Sequence, residues 1–196
     1  MPRSLRLGLS LALLLAPACS PAPATPVPPA SDALREFTAT VQLANDPHGK
    51  QFHGVLLQPD DGEAWVVSYQ PEPWLAAFAD QRVRVTGEPY TPEGQALLRP
   101  HLRVHTLALV DPSRALTAPF VISVGPEKSL RGTFTDEPGD EPHRVFTVEG
   151  GATYQLANAP DDARPGQPQQ IVAREVELAP QGARHDGPTL WVLAIQ

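Results

Sequence analysis

The chain is expected to be mainly β, built as two similar units in tandem. Three observations predict this. Proline and glycine, 24 and 14 of 196 residues, cut the chain into short segments, and no long helical period survives between them. The segments alternate apolar and polar residues with a period of two, as half-buried strands do. Finally, the stretch Arg82–Leu109 has a faint copy near the C-terminus. A shift of 88 residues without a gap lays Pro92-Glu93-Gly94 on Pro180-Gln181-Gly182, Pro100 on Pro188, and Gly62-Glu63-Ala64 on Gly150-Gly151-Ala152. The same shift puts Val83 on Ile171, Val85 on Ala173, Leu102 on Leu190, Val104 on Val192, Leu107 on Ile195 and Val66 on Tyr154. Turn residues and apolar alternation matching together point to a duplicated unit.

Residues 1–18 read as an export signal. Arg3 and Arg6 supply a positive start, and Leu7–Ala16 is an apolar run. That run is too short to cross a bilayer, which takes ~20 residues. It ends on the small residues Ala16-Pro17-Ala18, followed by Cys19, the only cysteine. This segment resembles bacterial lipoprotein signals. The resemblance implies that Cys19 is lipidated and becomes the first mature residue, although Leu15 stands one place earlier than the family pattern has it. Ser20 in second place leans to the outer membrane within that resemblance. The alternative is an ordinary signal cut after Ala18, giving a secreted or periplasmic protein. A single cysteine cannot form an internal disulfide, so the mature domain relies on its core alone.

Residues 19–32 are a tether, since SPAPATPVPPA favours extended, semi-rigid chain. The first unit is expected over 33–111. Phe37, Ala39, Val41 and Leu43 mark one strand. A polar loop, Asn45–Lys50, precedes a second strand at Gly54–Gln58. Asp60-Asp61-Gly62 makes a hairpin turn into a third at Ala64–Tyr69. Pro73–Phe78 suits a short helix with proline at its start. Arg82–Gly87 and Leu102–Val110 complete five strands. Residues 112–118 form a linker too short for wide swinging, so the units are expected to pack on each other. The second unit, 119–196, opens at Leu130, Gly132 and Phe134. A hairpin follows around Glu149-Gly150-Gly151, then a loop near Ala159–Pro168, and last the strands Ile171–Leu178 and Leu190–Ile195.

The order strand, strand, strand, short helix, strand, strand resembles an OB-fold, a small five-stranded Greek-key barrel. The resemblance implies two OB-like barrels in tandem, each binding a ligand through its loops and open strand face. A single β-sandwich made from both halves is the competing architecture.

The net charge is -7, and loss of Arg3 and Arg6 with the signal makes the mature chain more acidic still. An acidic surface repels phosphate backbones, which argues against nucleic acid. No G-x-S-x-G, Walker or G-x-G-x-x-G pattern occurs, and the only cysteine lies in the signal. The expectation is therefore a protein without catalytic activity and without a cofactor. It reads as a lipid-anchored envelope module that binds a protein or a glycan.

Histidines carry the alternative, a periplasmic metal-binding or sensing protein. His48 and His53 lie in and after the first loop, and His101 opens the fifth strand. Asp46 adds a carboxylate, making an imidazole/carboxylate ligand set. His143 and His185 echo them in the second unit. His101 and His105 share a strand face, but Arg103 between them repels a cation. Trp65 and Tyr69, with Trp74, are candidates to line a binding face for a sugar or peptide, although single aromatics alternating in a strand usually belong to the core, where these and Trp191 are expected. The acidic run Asp136–Glu141 lacks the spacing of an EF-hand and reads as a solvated loop.

Overall fold

A computed structural model describes residues 33–44, 52–94, 97–115, 118–138, 143–158, 160–183 and 187–196. The signal, Cys19 and the tether lie outside the described residues, as do Asp46, His48 and His185. The fold is mainly β. Ten strands form one mixed sheet, with a four-residue helix, α1, at Pro73–Ala76.

The strands of the first half are β1 (Arg35–Ala44), β2 (Gly54–Pro59), β3 (Trp65–Ser68), β4 (Arg82–Tyr90) and β5 (His101–Leu109). β1 pairs antiparallel with both β2 and β4, β2 with β3, and β4 with β5. A parallel bridge, Val66 to His101, joins β3 to β5 and closes a five-stranded ring. The Val66 N–H donates to the Pro100 carbonyl at 2.9 Å beside that bridge.

The second half repeats this connectivity with β6 (Val121–Glu137), β7 (His143–Val148), β8 (Thr153–Leu156), β9 (Pro168–Leu178) and β10 (Thr189–Ile195). β6 pairs antiparallel with β7 and β9, β7 with β8, and β9 with β10, while β8 and β10 run parallel. Here Gln155 N–H donates to the Pro188 carbonyl at 2.9 Å, the counterpart of the Val66–Pro100 bond. β5 and β6 are joined through Leu107–Val124 and Ala108–Ser123. A sandwich of two separate sheets is therefore not formed, because this ladder joins both halves into one.

The two halves correspond strand by strand, and the pairings correct the ungapped alignment. Val104 and Val192 correspond, and each precedes one extra residue, His105 and Leu193, at a register shift. β4 and β9, however, are offset by two residues. Phe37 faces Val85 in the first half where Leu130 faces Ile171 in the second, so Val85, not Val83, matches Ile171. Trp65, paired with Leu57, likewise matches Tyr154, paired with Phe146. Loops of different length shift each strand while hydrogen bonding preserves the registers around the ring.

β6 is longer than its sequence suggests. It begins at Val121, and its first four residues are hidden from pattern reading by Gly125-Pro126. Proline cannot donate to a ladder and is tolerated where the register breaks. The break falls between Val124 and Glu127 in the pairing with β9. Upstream of it β6 serves the first half through β5; downstream it starts the second.

The larger core crosses the junction. Val41, Leu57, Leu75, Phe78, Val85 and Leu107 from the first half pack in one cluster with Val121, Val124, Val176 and Trp191 from the second. Phe134, Phe146, Ile171 and Leu190 form a separate cluster inside the second half. Between the halves, Asp111 caps a 3-10 turn at Pro112–Arg114, its carboxylate accepting from the Ser113 N–H at 3.1 Å. No described helix is long and apolar enough to cross a membrane.

Two predictions test this packing. A Cβ at Gly132 would collide with the Thr147 carbonyl oxygen and touch the Phe146 ring. Gly132→Val is expected to cost about 2 kcal/mol in urea unfolding, as overpacking does; an unchanged midpoint refutes this strand contact. On the β6–β9 face, Lys128 Nζ donates to Glu175 Oε1 at 2.7 Å. That bond holds the Glu175 carboxyl below its ordinary value. Its stabilisation is present above the usual carboxylate range and is lost as pH falls through the lowered value. In an NMR titration Lys128→Met should raise the Glu175 midpoint, and a midpoint that stays put excludes Lys128 as the cause.

Candidate functional site

The two halves meet where β5 parts from β3. After the single bridge at His101, the outward edge of β5 has no strand beside it until β6 arrives at Leu107. Its carbonyls at Val104 and His105 need other donors. Arg174, on β9 of the second half, supplies them. One guanidinium nitrogen, Nη1, donates to the His105 carbonyl at 3.1 Å and to the Gly125 carbonyl at 3.0 Å. The other, Nη2, donates to the Val104 carbonyl at 3.1 Å. The planar fork of arginine can reach three acceptors on two strands at once.

Arg174 is only 6% exposed. Its guanidinium lies 4.6 Å above the Trp74 ring, and Glu127 Oε2 lies 3.8 Å from Nη2. Burial lowers its pKa, while Glu127 and Glu72 act in the opposite direction; an arginine remains charged even so. Glu72, the residue before α1, accepts from Trp74 Nε1 at 2.6 Å and so fixes the indole beneath the cation.

The second half solves the same problem differently. At Val192, the counterpart of Val104, the side-chain amide of Asn158 acts as the missing strand. Its Nδ2 donates to the Val192 carbonyl and its Oδ1 accepts from the Val192 N–H, both at 2.8 Å. One edge is closed by a residue of its own half, the other by a residue from its neighbour.

The parting strands leave a cleft of about 490 Å³ between the halves. Val67 of β3, Glu72 and Trp74, and Tyr90, Arg103 and His105 line it from the first half. Pro126, Glu127, Arg174 and Leu193 line it from the second. Arg103 lies over the Tyr90 ring at 5.4 Å and 3.7 Å from Glu88, which is also 3.8 Å from His105 Nε2. Burial, and next the neighbouring Tyr69, raise the Tyr90 pKa, so its hydroxyl stays protonated near neutral pH. A second depression of about 560 Å³ lies beside Asp161, Asp162, Arg164 and Gln169.

The residues singled out in the sequence fall elsewhere. His101 is 2% exposed and sits between the Tyr69 and Tyr90 rings, at centroid distances of 5.7 and 5.5 Å. Its Nε2 shares a 2.7 Å hydrogen bond with the Tyr69 hydroxyl, which also accepts from the Leu97 N–H at 3.0 Å. Tyr69 is 41% exposed and packs edge-on against Phe52. Trp65 is half-buried, tilted on Phe37 at 5.9 Å, with Arg35 over its ring. Trp74 and Trp191 are buried, in line with the expected core. His53 is exposed; its proposed companions His48 and Asp46 lie outside the described residues. Among the described residues no three His, Cys, Asp or Glu side chains gather as a metal site. His143 opens β7, 3.3 Å from Glu137. The run Asp136–Glu141 is described only in its first part, where Asp136 and Glu137 end β6. There the Arg144 hydrogen bond at 2.6 Å lowers the Asp136 pKa.

Sequence reasoning missed Arg174, Glu72 and Glu127. No local signal marked Arg174: β9 also carries Gln169, Gln170, Glu175 and Glu177, and alternation sets Arg174 on the face opposite Ile171 and Ala173. Comparison with family models, curated proteins and solved structures finds no match for this chain.

Removal of the Arg174 fork leaves three carbonyls without donors, and Glu127 without its counter-ion. Arg174→Met is expected to destabilise by about 3 kcal/mol in denaturant unfolding. Arg174→Lys should recover little, because a compact ammonium cannot span the three acceptors. Full stability in the lysine variant would show that charge alone, not the fork, holds the halves together.

Proposed function

We propose that this protein is a lipid-anchored module of the bacterial envelope, without catalytic activity, that binds its ligand in the cleft between two OB-like barrels. The ring order β1-β2-β3-β5-β4, repeated in the second half, supports the OB-like reading. The signal-like segment ending at Cys19 supports the anchor, and the tether supports a domain held off the membrane. The cleft itself carries the binding reading. It is a concave site of small-ligand size, with apolar walls and a few convergent polar groups.

The cleft is favoured over the loop site that a single OB-like unit suggests. His101, the residue placed at that loop site, is committed to Tyr69 and covered by two rings. The same commitment weakens the metal reading, whose remaining candidate ligands are the exposed His53 and, outside the described residues, Asp46 and His48. The partner is an envelope protein or glycan, since the net charge of -7 disfavours nucleic acid.

The anchor is tested by expressing the full chain and Cys19→Ser in a bacterial host with labelled fatty acid. The parent chain should take up label and sediment with membranes, and the variant should do neither. A Cys19→Ser protein that still sediments would overturn the lipoprotein reading.

A further inference from the structure

The chemistry of the cleft defines its ligand further, given the reading above that it is a binding site. Its charges are compensated where they stand. Arg174 faces Glu127 at 3.8 Å, and Arg103 faces Glu88 at 3.7 Å. A ligand with net charge of either sign therefore meets its opposite and its like in the same wall. A ligand hydroxyl, which both donates and accepts, meets partners for both roles. Carboxylates accept at several positions, and Glu72 has one assigned donor, Trp74. The protonated Tyr90 hydroxyl and the largely exposed Arg103 guanidinium donate. Between these polar groups, Val67, Val104, Pro126 and Leu193 provide apolar wall for a C–H face.

A peptide is the other chemistry to weigh. The usual way for a sheet to take an extended peptide is to add it as a strand along a free edge. Here the β5 edge is already occupied, by Arg174 at Val104 and His105 and by β6 at Leu107 and Ala108. No ladder is open along it. The volume of about 490 Å³ lies inside the ~300–1,000 Å³ range of small-ligand sites.

We propose that the cleft binds an uncharged oligosaccharide segment, its hydroxyls shared among Glu72, Tyr90, Arg103 and Glu127 and its C–H face on Val67 and Leu193.

The test uses detergent-solubilised full-length protein and five trisaccharides: the neutral maltotriose, cellotriose and fully N-acetylated chitotriose, the anionic trigalacturonate and the cationic glucosamine trimer. Calorimetry is run at low and at high salt. At least one of the three neutral sugars is expected to bind, with an affinity that salt leaves nearly unchanged, because no net charge is screened. Leu193→Trp, which fills the cleft, and Arg103→Ala, an exposed change that leaves the core alone, should each weaken that binding about tenfold, or about 1.4 kcal/mol. Thermal unfolding checks that both variants are folded. Preferential binding of a charged trimer that Leu193→Trp abolishes overturns the neutral-glycan assignment and leaves the cleft as the site. Neutral-sugar binding untouched by both variants overturns the cleft reading itself. Failure of all three neutral sugars to bind overturns the proposal.

Discussion

The junction of this protein depends on one buried guanidinium. Strand β5 leaves β3 after a single bridge, and from there its carbonyls face a gap. An unpaired buried carbonyl costs about as much as a lost hydrogen bond. Arg174 crosses from the other half to fill the gap, stacked on Trp74 and balanced by Glu127 and Glu72. The cleft exists because the strands part there, and it persists because Arg174 satisfies the edge without closing it.

The contrast with Asn158 shows what this arrangement does. At the equivalent position the second half completes its own edge with a local amide. The first half borrows its donor, so its edge is complete only when the second half is docked. The shared apolar cluster reinforces the point, with Val121, Val124, Val176 and Trp191 lying against residues of the first half. The two halves are thus coupled at the level of backbone hydrogen bonding as well as apolar burial.

Much of the strand pattern could be read from the sequence, for plain reasons. Val83 and Val85 alternate with Arg82, Arg84 and Thr86 because one face of β4 is buried, whereas β10 reads as a continuous apolar run because Leu190, Trp191 and Val192 are all buried. The Asp60-Asp61-Gly62 and Glu149-Gly150-Gly151 turns declare themselves through glycine at positive φ. The start of β6 was not legible. Gly125 and Pro126 interrupt its alternation, and only the partner strands β5 and β9 show that the chain stays extended through them. The two-residue offset of β4 against β9 was equally hidden, because an apolar alternation slipped by two residues looks the same.

The candidate site was nearly invisible at that level. His101 drew notice as a histidine near a loop, and its burial under Tyr69 and Tyr90 depends on residues about 30 and 10 positions away in the chain. Arg174 reads locally as one cation in a strand; its acceptors lie 49 to 70 residues distant. The sequence alone determined the strand-rich class, the acidic balance and the signal-like start, since each rests on local pattern or composition. Only the tertiary structure decided where β5 loses its neighbour, which residue replaces it and where the cleft opens. Those are long-range hydrogen-bonding outcomes, and local pattern does not encode them.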